Sequence, residues 1–171
     1  MLVLLVFFAA RAIATTDANV DPDGNISVQW HPLPTTPVSN YDKIDDGIRY
    51  NNAPDITNRI YCEYVDSSCI DIYNMTSLTG VQSVSAIKVW AYGYTYGGSC
   101  TGDISKDGST WVGAQNFGLP TGGSSAWKSI TFDLSASPWT QTNLDALQVK
   151  ITGNPTMQKT TRFIFMQCML N

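Results

Sequence analysis

Acid–base or nucleophilic catalysis needs a histidine beside a nucleophile, or two carboxylates set across a cleft. This chain is sparing with both. His31 is its only histidine and stands between Trp30 and Pro32. Of its 14 acidic residues, all but Glu63 are Asp, and their spacing singles out no pair. Asp42, Asp45 and Asp46 read as a solvated turn. No nucleophile-elbow motif surrounds any Ser. The expectation is a protein that is not an enzyme.

Other chemistry is better served. Cys62, Cys69, Cys100 and Cys168 contain no C-x-x-C pair, so disulfides are expected rather than zinc. Three connectivities are open; Cys62–Cys69 with Cys100–Cys168 is favoured because the first pair flanks a short turn. Asp21, Asp23 and Asn25 alternate in the manner of a calcium loop, with Gly24 allowing a tight turn, and Asp103 and Asp107 are a second oxygen-rich pair. Turn-forming Asp and Asn explain the same spacing better, so no cofactor is expected and calcium is the one candidate. Asn25-Ile26-Ser27 and Asn74-Met75-Thr76 are N-glycosylation sequons.

The sharpest constellation is Trp90, Tyr92, Tyr94 and Tyr96. Alternate residues of a strand share one face, so these four rings would form a row. Exposed, the row would stack on sugar rings or centre a protein interface. Buried, it would be core. The intervening Ile87, Val89, Ala91 and Gly93 form the other face.

Several elements must position these groups. Helix formers are scarce, while Gly, Thr, Ser, Asn and aromatics abound, which favours strands and turns. Strands are expected over 26–30, 59–65, 69–73, 84–96, 100–105, 110–115, 127–134, 146–152 and 161–170. Residues 59–73 read as a hairpin, Asp21-Pro22-Asp23-Gly24 as a turn, and 138–144 as one helical turn capped by Thr140 or Thr142. The predicted fold is all-β: a two-sheet β-sandwich of jelly-roll type, stabilised by disulfides. At 171 residues, residues 15–171 suffice for one such domain. The net charge of −4 and a pI near 4.7 argue against nucleic acid as a partner.

Residues 1–14 stand apart. The apolar run holding Leu2, Leu4, Val6 and Phe8 is too short to span a bilayer. Ala12-Ile13-Ala14 has the form of a signal-peptidase site, although Arg11 follows the run and no cation precedes it. The segment is either a secretory signal or, if retained, an assembly strand added to a neighbouring subunit's sheet. Both place the protein outside the cell. The apolar run 162–170 is either a central strand or an edge that receives such a strand.

Three blocks carry a resemblance. They are Asp21-Pro22-Asp23-Gly24 with Gln29-Trp30 and Pro32; Asn40-Tyr41-Asp42-Lys43-Ile44-Asp45-Asp46 with Asn58-Arg59-Ile60-Tyr61 and Asp71-Ile72-Tyr73-Asn74-Met75; and Pro138-Trp139-Thr140 with Asn143-Leu144-Asp145-Ala146-Leu147-Gln148-Val149. In order and spacing, over residues 17–153, they resemble a β-sandwich domain that recurs in phage virion proteins and secreted prokaryotic surface proteins. The resemblance implies a jelly roll similar to galactose-binding folds, a structural or attachment role, and no catalytic residues. The four cysteines and the apolar head depart from the usual phage form.

The leading functional expectation is a non-enzymatic structural subunit of an extracellular assembly, such as a surface filament, pilus-like fibre or sheath. Its partner would be further copies of itself, forming a homo-oligomer or homopolymer through apolar strand addition and aromatic-face contacts. The alternative is a carbohydrate-binding or adhesion module with a glycan ligand, or a virion decoration protein.

Overall fold

The computed structural model describes residues 18–33, 44, 59–81, 83–155 and the strand at 161–170. The candidate assembly residues Leu2, Leu4, Val6 and Phe8, and the acidic turn at Asp42, Asp45 and Asp46, lie outside them. Two antiparallel sheets face each other as a β-sandwich. The front sheet runs β3 (His31–Leu33), β4 (Arg59–Cys62), β11 (Thr161–Leu170), β6 (Ala86–Thr95), β9 (Ala126–Asp133), with β1 (Ala18–Val20) also paired to β11. The back sheet runs β2 (Pro22–Ser27), β5 (Cys69–Met75), β10 (Gln148–Asn154), β7 (Ser99–Ser105), β8 (Gln115–Asn116). A short helix, α1 (Gln141–Asp145), has Thr140 as its N-cap and buries Leu144. Among the described residues no helix is long and apolar enough to cross a membrane.

Period-two alternation builds the core. Ile60, Ile87, Val89, Ala91, Ile130 and Phe132 come from the front sheet; Tyr73, Ile104, Val149 and Ile151 come from the back. Burying such a side chain contributes about 1.5–3 kcal/mol. Trp30, 1 % exposed, fills the end of the sandwich where Gly153 makes room. A Cβ on Gly153 would sit 2.6 Å from the indole, closer than packed carbons come.

Three expectations are corrected, and one that stood open between two readings is decided. First, residues 59–73 do not make a hairpin. β4 belongs to the front sheet and β5 to the back, and a 3-10 turn, Tyr64–Asp66, lifts the chain between them with Ser67 at φ 55°. Alternation fixes which residues face inward but not which strand they pair with. Second, Asp21-Pro22-Asp23-Gly24 is not a turn. Asp21 is the single residue between β1 of the front sheet and β2 of the back, so the chain changes sheets there in extended form. The apolar run at 161–170, the open case, is a central strand. β11 pairs with β6 along one side, and with β4 and then β1 along the other, so it is not the edge that would receive a partner's strand.

The third correction concerns the thiols. Cys62–Cys69 is bonded and therefore joins the two sheets. Cys100 is a buried free thiol, so the pairing with Cys168 does not form. Register explains this. Cys100 pairs with Gly153, whose carbonyl lies against Cys62, and Cys62 pairs with Thr161. Cys168 lies about 20 Å farther along β11 at ordinary strand rise, beyond a disulfide's reach.

Two expected results follow. Replacing Cys62 and Cys69 together by alanine should lower stability by about 2.5 kcal/mol, the loop-closure value for so short a ring, measured by urea denaturation. Burial pushes the Cys100 thiol well above its ordinary range, and the thiolate is the reactive form. Peptide mapping after alkylation at neutral pH should find Cys100 unlabelled in native protein and labelled in denaturant.

Candidate functional site: the aromatic face of the front sheet

β6 separates its two faces as alternation requires. Ile87, Val89 and Ala91 are fully buried, while Lys88, Trp90 and Tyr92 are half-buried. The aromatic row therefore lies on the outer face of the front sheet and not in the core between the sheets. β9 supplies what the row lacks. Trp127 pairs in register with Tyr92. Its ring lies 5.2 Å from Tyr92 at a 53° tilt and 6.5 Å from Trp90, nearly perpendicular at 83°. Edge-to-face and tilted pairs are the preferred aromatic geometries, so the three rings brace one another. Ser129 pairs with Trp90 and Thr131 with Lys88, which sets two hydroxyls along the same face. Lys88 Nζ stands 5.5 Å from the centre of the Trp90 ring, within cation–π reach.

The other two members of the row behave differently. Tyr94 is only 6 % exposed and packs edge-on against Tyr96 at 5.2 Å. Tyr96 lies beyond the end of β6 and is 40 % exposed. Its hydroxyl borders Gly123, where a Cβ would come within 2.8 Å. The row thus divides into an accessible platform of Trp90, Tyr92 and Trp127 and a tyrosine pair that closes one end. Across the sheet, Arg162 of β11 pairs with Tyr94 on one side and Tyr61 on the other. The Tyr61 ring lies 5.3 Å from His31, the edge-strand residue with which it pairs.

His31 Nε2 and Asp66 Oδ2 are 3.0 Å apart, at the inter-sheet turn. Of three potential metal ligands within 4.8 Å of one another, the described residues offer Cys62, Asp66 and Cys69. The two sulfurs there are joined to each other, so they are not thiolate donors. Asp21 precedes β2, and Asp23 and Asn25 lie along it; Asp21 and Thr76 exchange backbone and side-chain hydrogen bonds. Asp103 and Asp107 are not brought together. Asp103 Oδ1 accepts the N–H groups of Ile104 and Gly113, and Oδ2 lies 3.4 Å from Lys150 Nζ. Asp107 accepts the N–H groups of Ser109 and Thr110, which hold its carboxyl well below the usual range. Asn74 is exposed on β5, and Asn25 on β2 is half-buried opposite Tyr73.

A second concavity, about 270 Å³, lies between the β7–β8 loop and the segment after β9, with Lys106, Trp111, Val112, Leu134 and Trp139 in its wall. Trp139 is almost fully buried. Lys150 covers the Trp111 ring at 3.9 Å.

What the platform can do follows from its chemistry. An aromatic face carries negative π density. The C–H-rich face of a pyranose is apolar and faintly positive, so the two stack, while hydroxyls at the sugar's rim need polar neighbours such as Ser129 and Thr131. The ring separations here are of the order of one sugar unit.

No protein-family model matches the chain, and no curated protein sequence matches it. Solved structures similar to it include a cyclase from Fischerella sp. TAU, 11 % identical, covering 94 % of this chain and 92 % of that one, with TM-score 0.47. Another is a chitosan-binding module from a chitosanase/glucanase of Paenibacillus sp. IK-5, 16 % identical, covering 85 % and 93 %, TM-score 0.42. A third is the enzymatically active domain of bacteriophage CBA120 tailspike protein 4, 7 % identical, covering 91 % of this chain, TM-score 0.44; the chain spans 19 % of that one's length. The sandwich itself is established by the strand order above.

Proposed function

We propose that this protein is a non-catalytic, secreted carbohydrate-binding module, and that a glycan chain lies across the outer face of its front sheet. The observation that carries the reading is the cluster of Trp90, Tyr92 and Trp127 on two neighbouring strands, outside the core and incompletely covered. Trp90 and Trp127 would stack on successive sugars, Tyr92 would set the angle between them, and Ser129 and Thr131 would meet the hydroxyl rim. Binding sites of this kind combine apolar walls with a few placed polar groups.

The sequence alone put a filament or sheath subunit first and sugar binding second; the platform reverses that order. The assembly mechanism rested on aromatic-face contacts and on strand addition; the added strand, with Leu2, Leu4, Val6 and Phe8, lies outside the described residues, and β11, the candidate receiving edge, is paired on both sides. Secretion accords with an inter-sheet disulfide, which persists in oxidising compartments. N-glycosylation at Asn25 or Asn74 would fall on the back sheet and leave the platform clear. Calcium at Asp21, Asp23 and Asn25 would need those residues to be drawn together.

Native electrophoresis through gels containing soluble polysaccharides tests the reading. Retardation by at least one polysaccharide is expected. Unchanged mobility across neutral, carboxylated and sulfated polysaccharides would contradict it.

A further inference from the structure

We propose that the glycan bound on the front sheet is anionic, bearing carboxylate or sulfate groups. This rests on the carbohydrate-binding reading and names its substrate class.

Charge is divided between the two sheets. The strands of the front sheet carry Arg59, Lys88, Lys128 and Arg162 against one acid, Asp133, the last residue of β9; by strand parity Lys128 lies on the opposite side of β9 from Trp127, and Asp133 on the same side. Those of the back sheet carry Asp23, Asp71 and Asp103 against Lys150 alone. The chain as a whole has a net charge of −4, so a sheet with a cationic excess runs against its composition. A field of one sign over a binding face recruits ligands of the other.

The positions of these cations matter more than their number. Lys88 shares the outer face of β6 with Trp90 and Tyr92, and its ammonium lies against the Trp90 ring. Ion pairs among the described residues include His31–Asp66 and Lys150–Asp103. Lys150 is thus held by a carboxylate, whereas Lys88 rests on a ring. An exposed cation–π contact is weak, and a ligand carboxylate or sulfate would take the ammonium in a charge-assisted hydrogen bond while its sugar takes the ring. A neutral glycan would have to displace Lys88 from Trp90 without replacing the contact. Across the sheet, Arg59 alternates with buried Ile60 and Cys62 on β4, and Arg162 is the register partner of Tyr61 and Tyr94. Single-stranded nucleic acid is also an anionic stacking ligand. It is disfavoured because nucleic-acid domains present a strongly basic surface.

The test is calorimetric titration of the full chain at about 50 and about 500 mM NaCl, a range over which exposed charges become screened. The titrants are oligogalacturonate, sulfated dextran oligosaccharide, neutral cello-oligosaccharide, oligo-dT and polyglutamate. Oligogalacturonate or sulfated dextran should bind at least about ten-fold tighter than the neutral sugar and lose about ten-fold in affinity at high salt. Which of the two binds tighter identifies the acidic group. Lys88→Ala should weaken the anionic sugar about five-fold, the scale of one exposed charge contact, and leave the neutral one unchanged or tighter; Lys88→Arg should restore binding. Equal, salt-independent affinity for neutral and anionic sugars would overturn this inference and leave the carbohydrate reading standing. Polyglutamate or oligo-dT binding as tightly as the best glycan would also overturn it. If no sugar binds, the carbohydrate reading itself fails.

Discussion

Replacing Asp71 by alanine should lower the stability of this domain by about 4 kcal/mol, enough to unfold a large fraction of a marginally stable protein. Asp71 is wholly buried on β5. Its Oδ1 accepts the backbone N–H of Gln29 at 2.5 Å and of Trp30 at 2.9 Å, and its Oδ2 accepts the Tyr73 hydroxyl at 2.7 Å. The chain there is leaving the back sheet for β3 of the front, so those two N–H groups have no strand to pair with. Removing the carboxylate leaves the buried Trp30 N–H and the buried Tyr73 phenol without their acceptor, and the part-buried Gln29 N–H with them; each buried unsatisfied group costs about 1–3 kcal/mol. Asp71→Asn keeps an acceptor for the backbone and should lose less than half as much. Urea denaturation of the two variants measures the difference. If alanine proves as mild as asparagine, the carboxylate is not what holds the crossover.

The same contact has a pH signature. Burial first, and the neighbouring Asp71 second, push the Tyr73 hydroxyl well above its ordinary value of 10.0. The folded state therefore keeps that proton at pH values where the unfolded chain loses it. Stability supplied by this group is complete below pH 10 and falls as pH climbs beyond it. Tyr73→Phe should remove that component of alkaline unfolding.

The second large effect concerns the ligand. Trp90→Ala and Trp127→Ala should each reduce glycan affinity about 10- to 30-fold, the range for aromatic residues at the centre of an interface. Both rings are only half-buried, so each variant should keep most of its thermal stability. Tyr94→Ala should do the reverse. That ring is nearly covered and braces Tyr96, so its loss should lower the melting temperature while any remaining folded protein still binds. Calorimetric titration beside thermal denaturation separates the two behaviours. Equal losses of affinity at Tyr94 and Trp127 would argue against a platform made of Trp90, Tyr92 and Trp127.

Much of this was legible in the chain itself. The alternation at 84–96 assigned Ile87, Val89 and Ala91 to one face and Trp90 and Tyr92 to the other, because strand parity is local. Thr140 as a helix cap and 161–170 as a strand were readable for the same reason. Pairing was not. Nothing near residues 59–73 distinguishes a hairpin from two strands in opposite sheets, since the distinction lies in partners remote in sequence. Trp127 was missed as a site residue although its parity was available. Ile130 and Phe132 occupy even positions on the core face, and Trp127, at an odd one, had to face out. What the sequence lacked was the register that sets Trp127 beside Tyr92. Tyr94 escaped in the opposite sense: alternation places it in the row, but its burial depends on neighbours beyond its own strand. Asp71 looked like any other Asp, because the backbone N–H groups it holds are more than forty residues away.

The central claim is that sugar meets the protein at Trp90 and Trp127. The chain has five tryptophans, and their indole N–H resonances can be followed one by one in a heteronuclear correlation spectrum as oligosaccharide is added. The resonances of Trp90 and Trp127 should shift to saturation, while those of Trp30 and Trp139 in the core and Trp111 beneath Lys150 stay in place. Shifts at Trp111 and Trp139 with Trp90 and Trp127 unmoved would place the ligand in the groove and contradict the account.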